Sequence, residues 1–275
     1  MGAGGGMGGG FRVYLPDGPF RWCWRDLLIT PDKIFSSEAV RARYVLVDVG
    51  LESLVKSFGR VDYPRFWLDK YFTVVRGLEG LKPGRVWAVV PDYPHMWSGV
   101  RIDHYFLRHW RIFFKLFPEL EDYYMPVIRS EGLGLWELGM MLDTLKPFLR
   151  DFEVLGLPSR PTAGPDGLWL ARAWRVRQAF PGHWLHGLGA GFGRVKLLSP
   201  GLLDSIDFRG TFTKIELVRS MAKIYLGLEG IWEGGSQNSA PRVHDYRDLQ
   251  KALLEALLML LEERVGRVDY AWRQV

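Results

Sequence analysis

The chain has 275 residues, a formal net charge of +5 at neutral pH and a sequence pI near 9.3, with 48% hydrophobic and 24% charged residues. That composition supplies a large core and is ordinary for a soluble protein. A single cysteine, Cys23, excludes disulfides within the chain and cysteine-based zinc sites.

The opening "MGAGGGMGGG" has neither the basic flank nor the apolar stretch of a signal peptide and reads as a disordered tail over 1–10. From Phe11 onward, short apolar strand candidates alternate with longer helical patterns. "FRVYLP" (11–16), "DLLITP" (26–31) and "YVLVDVG" (44–50) come first, followed by a helix over 63–80 that is closed by glycines. "RVWAVVPDYP" (85–94) is a strand stopped by Pro-Asp, and the pattern continues with a helix over 101–117, strand "YMPVIRS" (124–130) and a helix over 134–150. Strand "FEVLGLP" (152–158), a helix over 166–179, and strands "HWLHGLG" (183–189) and "LLDSIDF" (202–208) follow. Helices over 211–226 and 245–265 close the chain, with "EGGSQNSAPRV" (233–243) a flexible loop between them.

Continuously apolar strands are buried on both faces, the mark of parallel strands covered by helices. Eight such strands alternating with helices predict an α/β fold, a (β/α)₈ TIM barrel in one domain over 11–275, with a doubly wound open sheet as the alternative. No run of about 18 apolar residues predicts a transmembrane helix. The cysteine count, with few thermolabile residues and much Arg, fits an intracellular protein, expected to be cytoplasmic. The basic excess is compatible with a polyanionic partner such as DNA or RNA, although basic residues are dispersed, as in "RAWRVRQ" (172–178), a pattern that also suits a solvated helix face. The aromatic fraction, with 12 Trp, suits a packed interior or stacking surfaces for planar ligands.

In a parallel barrel the carboxyl ends of the strands face the active site. That rule selects Asp48, Asp92, Arg129, Ser130, His186 and Asp207. Aspartates converging with an Arg and a His suit chemistry in which a carboxylate attacks or stabilises a cationic centre, or a Mg²⁺ site. Asp48 and Asp92 are equally readable as helix caps, and Asp62, Asp103 and Asp166 take N-cap or first-turn positions. His95, His104 and His109 do not form a metal-ligand set, and "GLGAGFG" (187–193) has the wrong spacing for a dinucleotide-binding loop.

"HWLHGLGAGFGRVKLLSPGLLDSIDFRGTFTK" (183–214) resembles the segment of tRNA-guanine transglycosylases that runs from R-Y-L-M-G-V-G to F-D-C-V-M-P-T-R. "VLVDVG" (45–50) stands in the place of that family's L-T-D-S-G-G, "VVPDYP" (89–94) of V-F-D-E and "PVIRSEG" (126–132) of I-V-Q-G-G, in the same order. The register that aligns "DFRGTFTK" with D-C-V-M-P-T-R selects Asp207 rather than Asp204 as the nucleophile, and Asp207 also lies nearer the carboxyl end of its strand.

The resemblance implies that Asp207 attacks the nucleotide C1′ and expels guanine, leaving a covalent glycosyl-enzyme, with Asp48 as general acid/base. It implies that Asp92 accepts hydrogen bonds from the base, that Gly156 and Gly187 contribute backbone around it, and that His186 replaces a flanking methionine. There His186 either stacks on the base or is a core histidine. Arg129 or Ser130, depending on register, takes the place of the family's base-reading glutamine. No cofactor or metal is implied, the partners being a nucleic acid (DNA or tRNA) and a free 7-deazaguanine-type base, and a homodimer is suggested.

The chain departs from the family in lacking the three zinc cysteines and in carrying Glu52 where an aromatic is expected. A short, zinc-free chain is more similar to DNA-deazaguanine transglycosylases, which favours DNA over tRNA. "DYPHMWSGVRIDHYFLRHW" (92–110), with Arg101 and Arg108 among aromatics, is the candidate rim for a flipped-out nucleotide. Two other readings are a non-catalytic barrel that binds a nucleobase or nucleic acid, and a Mg²⁺-dependent hydrolase.

Overall fold

The computed structural model describes residues 10–16, 24–31, 41–50, 63–78, 84–91, 115, 118–159, 163–208 and 243–272. The strands are β1 (Arg12–Pro16), β2 (Asp26–Ile29), β3 (Tyr44–Val47), β4 (Val86–Val89), β5 (Tyr124–Met125), β6 (Val154–Pro158), β7 (Trp184–Leu188) and β8 (Ser205–Asp207). Among the described residues the helices are α1 (Arg65–Gly77), α2 (Leu135–Leu149), α3 (Asp166–Ala179), the one-turn α4 (Phe192–Val195) and α5 (Val243–Val265), plus a 3₁₀ segment over Pro118–Tyr123.

All eight strands are parallel and lie in the order β5-β4-β3-β2-β1-β8-β7-β6. The two ends of this sheet meet. Gly156 N–H donates to Pro126 O at 2.8 Å and Gly156 O accepts from Ile128 N–H at 2.8 Å, bridging the segment after β5 to β6. The expected TIM barrel is therefore the fold.

Differences from the expected elements have local causes. The strand foreseen over 124–130 is regular only to Met125, because Pro126 offers no N–H to a ladder; pairing resumes as a bridge at Val127. The strand foreseen over 202–208 starts at Ser205, because Leu202 N–H turns back onto Ser199 O after Gly201, whose φ is +78°. α3 has the foreseen bounds, and Asp166 sits in its first turn as expected, pairing with Arg194 at 2.8 Å. α2 is capped at its start by Gly134, whose N–H donates to Glu137 Oε2 at 2.8 Å. The Gly-rich tail up to Gly9, most of the helix over 101–117, the helix over 211–226 and the loop over 233–242 lie outside the described residues.

Burial follows the pattern of each element. α5 presents Leu253, Leu254, Leu257, Leu258 and Leu261 to the core at helical spacing, each worth about 1.5–3 kcal/mol of transfer free energy. Among the described residues no helix is long and apolar enough to cross a membrane.

The chain beyond α5 seals the amino-terminal end of the barrel. Phe11 N–H donates to Arg267 O and Asp269 N–H to Phe11 O, both at 2.8 Å, and Trp24 meets Trp272 edge-on at 5.1 Å. A Cβ on Gly10 would lie 2.9 Å from Asp269 N, so that approach requires glycine. Arg43 clamps the same end, binding Asp26 through Nε (2.9 Å) and Nη2 (2.5 Å) and Asp269 through Nη1 (2.7 Å). Burial works against the charge on Arg43, but its bonds to Asp26 and then Asp269 outweigh it and hold the guanidinium more firmly protonated.

Candidate active site

Successive strand residues face opposite sides of a sheet. The inward side is identified by Arg12 on β1, whose guanidinium lies 3.7 Å from the ring centroid of Tyr44 on β3 and 4.5 Å from that of Trp184 on β7. β3 and β7 each stand two strands from β1 on opposite sides, so one guanidinium meets both rings only across the barrel interior. Alternation then points Tyr14, Leu46, His186, Ser205 and Asp207 inward, and it continues to Asp48 just past β3.

Asp207 is the last residue of β8 and is 1% exposed. Its Oδ1 accepts from the Gly189 N–H at 2.9 Å and lies 3.1 Å from His186 Nε2. Gly189 follows β7 with φ +69°, a conformation glycine adopts without strain, and that turn aims its N–H at the carboxylate. Oδ2 has no hydrogen bond among the described residues.

Asp204, the other aspartate of "LLDSIDF", has a different setting. It precedes β8, and its Oδ2 accepts from Arg177 Nη2 at 2.5 Å and from Leu185 N–H at 2.7 Å. Arg177, on α3, also holds the carbonyls of His183 (2.8 Å) and Leu202 (3.2 Å). Asp204 thus ties a helix to the amino-terminal ends of β7 and β8.

The other expected site residues divide. Asp48 is half-buried, with Oδ1 accepting from Gly50 N–H at 3.0 Å in a tight turn after β3. Asp92 and the candidate rim over 92–110 lie outside the described residues. Arg129 is buried and its Nη1 donates to Glu131 Oε1 at 2.8 Å, while Ser130, also buried, accepts at its carbonyl from Leu133 N–H.

Gly156 faces inward between Val127, Leu188 and Met125, and its N–H is committed to closing the barrel, which leaves only carbonyl capacity for a ligand. Gly187 is turned outward: a Cβ there would lie 2.7 Å from Leu203 Cδ1 and 2.8 Å from Ser159 Oγ. Its glycine is accounted for by that packing. His186 is buried rather than displayed as a stacking face, edge-on to Tyr14 at 5.5 Å, with Nδ1 2.8 Å from Ser205 Oγ.

Sequence reasoning passed over Glu131, Tyr14, Trp184 and Ser205. Trp184 Nε1 donates to the same Ser205 Oγ at 2.8 Å. Burial and then the charge of Asp26 push the Tyr14 phenol far above its ordinary value, so it stays neutral beside His186. The signal for Trp184 and Ser205 was available, since each stands two residues before a recognised inward residue on the same strand.

A cavity of about 300 Å³ opens at the opposite end of the barrel, lined by Trp87, Tyr124, Phe152 and acidic side chains including Glu153. Burial pushes the Glu153 carboxyl up, opposed by Arg12. This cavity faces the amino-terminal ends of β4 to β6, away from the carboxyl-end chemistry, and the site is placed by strand direction rather than by cavity size. Among the described residues no group of His, Cys, Asp or Glu could hold a metal ion.

Comparisons with protein-family models, curated proteins and solved structures give no match to this chain.

Proposed function

We propose that the chain is a base-exchange transglycosylase acting on nucleic acid, replacing guanine with a 7-deazaguanine-type base, with DNA favoured over tRNA. One observation carries the reading: Asp207 is a buried carboxylate that no arginine among the described residues holds. Asp26 is paired with Arg43, Asp204 with Arg177 and Glu131 with Arg129, whereas among the described residues Asp207 has His186 and one backbone N–H. A buried carboxylate without a cationic partner is costly, and such sites are where function concentrates. Its place at the carboxyl end of a barrel strand, the inward phase of Asp48 and the resemblance of the strand-end motifs to tRNA-guanine transglycosylases support the same reading.

In this mechanism Asp207 Oδ2 attacks C1′ of the target nucleotide. The C1′–N9 bond breaks with its electron pair passing to the base, and an ester bond joins the sugar to Asp207. Asp48 delivers the proton that the departing base takes up, then removes the proton from the entering base. The entering nitrogen attacks C1′, the ester breaks and the Asp207 carboxylate is regenerated. The role of Asp92 in binding the base rests on the resemblance. The preference for DNA rests on the missing zinc cysteines.

The 1% exposure of Asp207 favours a second reading, a non-catalytic barrel that binds a nucleobase or nucleic acid. A trapping assay separates the two. Protein is mixed with guanine-containing DNA or tRNA and a 7-deazaguanine base, denatured, and examined for a protein–nucleic acid adduct. An adduct lost in Asp207→Asn and retained in Asp204→Asn supports the exchange mechanism and identifies the polymer. Binding without any adduct moves the assignment to the non-catalytic barrel.

A further inference from the structure

We propose that Trp184, Ser205 and His186 form a one-way hydrogen-bond chain that fixes His186 as its Nε2–H tautomer and thereby positions Asp207 for attack through Oδ2. The reaction invoked rests on the base-exchange reading; the tautomer does not.

The argument is a count of donors and acceptors. The Trp184 indole N–H can only donate, and it points at Ser205 Oγ at 2.8 Å. Ser205 is buried, and among the described residues its hydroxyl has one other partner, His186 Nδ1 at 2.8 Å. Having accepted from Trp184, the hydroxyl satisfies its own hydrogen only by donating to Nδ1. Nδ1 is then an acceptor, the ring proton sits on Nε2, and Nε2–H points at Asp207 Oδ1, 3.1 Å away. The opposite tautomer would place two donors on Ser205 Oγ, leave the buried hydroxyl hydrogen without an acceptor, and require a proton on Asp207 to meet a bare Nε2.

The first link is itself held in place. The Trp184 ring lies against the Arg12 guanidinium, which also lies over the Tyr44 ring. The His186 ring is braced edge-on by Tyr14. The chain therefore begins on a fixed indole and ends on one carboxylate oxygen.

Among the described residues, both donors that reach Asp207 engage Oδ1. Two hydrogen bonds on one oxygen fix the carboxylate plane and leave the in-plane lone pairs of Oδ2 for an electrophilic carbon. His186 touches neither sugar nor base in this account. It is a positioning residue, and so are Ser205 and Trp184 behind it.

The test is nitrogen-15 NMR of histidine-labelled full-length protein, using long-range proton–nitrogen correlations that separate a protonated from a bare ring nitrogen. The His186→Gln variant identifies the His186 signals as those that vanish. Protonated Nε2 with bare Nδ1 in the wild-type protein, and a mixture of tautomers in Ser205→Ala, is the expected result. Protonated Nδ1 or an averaged pair in the wild-type protein overturns the proposal, whether or not the protein exchanges bases.

If exchange occurs, His186→Leu should lower kcat roughly 10²-fold with KM for the entering base unchanged, and His186→Gln, which keeps a donor, should recover most of it. An active wild-type protein whose kcat is untouched by His186→Leu also overturns the proposal. A wild-type protein with the Nε2–H tautomer but no adduct and no exchange would instead remove the base-exchange reading and leave the hydrogen-bond chain standing.

Discussion

Replacing Asp204 and Asp207 by asparagine, one at a time, should separate a structural carboxylate from one retained for chemistry. At 207, an amide oxygen can still accept from His186 Nε2–H and Gly189 N–H, the two contacts that the carboxylate makes. The substitution also removes a buried negative charge that no arginine among the described residues offsets. Loss of two charge-assisted bonds and relief of charge burial are each worth about 1–3 kcal/mol and have opposite signs. The net change in stability for Asp207→Asn is therefore within about 1 kcal/mol of zero, in either direction. At 204 the charge is offset by Arg177 at 2.5 Å, with the carboxylate side chain 30% exposed and the arginine 13%. Trading that ion pair for a neutral bond should cost about 1–2 kcal/mol after allowing for solvent screening. At this chain length each kcal/mol moves Tm by about 2–4 °C, so Asp204→Asn should melt about 2–8 °C below the wild-type protein. Urea and thermal unfolding followed by circular dichroism measure both. A loss for Asp207→Asn larger than that for Asp204→Asn would refute the reasoning, because the Asp207 charge would then be part of what holds the barrel together.

Three further substitutions test other parts of the structure. Gly187→Ala forces a Cβ to within 2.7 Å of Leu203 Cδ1 and 2.8 Å of Ser159 Oγ, and should destabilise the fold by about 1–3 kcal/mol in thermal melts. Gly189→Ala places a side chain at φ +69°, which should cost about 1–2 kcal/mol and, by moving the N–H off Asp207, reduce adduct formation in the trapping assay. Arg43→Ala leaves the fully buried Asp26 without its bidentate partner and should cost about 3–5 kcal/mol at neutral pH. Its pH dependence has a definite sign. Burial raises the Asp26 carboxyl in the folded protein, opposed by Arg43, so deleting Arg43 raises it further. The folded state then binds a proton before the unfolded state does, and stability should increase as pH falls through the folded pKa toward the ordinary carboxylate range. Urea midpoints of Arg43→Ala relative to wild type, compared at pH 7 and pH 5, should converge on acidification; divergence would contradict the assignment.

The barrel was legible in the sequence because it rests on a signal that propagates: strands buried on both faces are apolar throughout, and each is followed by a segment of helical period. Strand ends were less legible. Pro126 and Gly201 interrupt pairing within segments that are apolar enough to continue as strands. The expected preference for Asp207 over Asp204 rested on position in the strand; the difference in their counter-ions was not legible. Whether a carboxylate has a counter-ion depends on Arg177, 27 residues before Asp204, which α3 brings to the amino-terminal end of β8. Gly187 shows the opposite failure. It sits beside His186 in a motif that looks like a site, yet strand alternation turns it toward the outer layer.

The inside of this barrel is more polar than branched aliphatic layers would make it. Arg12, Tyr44, Asp26, Trp184 and Ser205 occupy its lower part, and Tyr14, His186 and Asp207 stand one step above them. Charge is compensated below: Asp26 and Asp269 share Arg43, with Arg12 3.7 Å from Asp269. Above, among the described residues, Asp207 is met by His186 and a backbone N–H. If the polar residues served only to satisfy one another, the arginine-rich lower layer would be the natural place for Asp207. It is placed instead at the carboxyl end, joined to the lower layer through Ser205, the residue two before it on β8. The lower layer fixes geometry without lending its positive charge. On the proposed mechanism, Asp207 is thus held in orientation while keeping the electron density that an attack on carbon requires, whereas an arginine at hydrogen-bond distance would bind it more tightly and make it a poorer nucleophile.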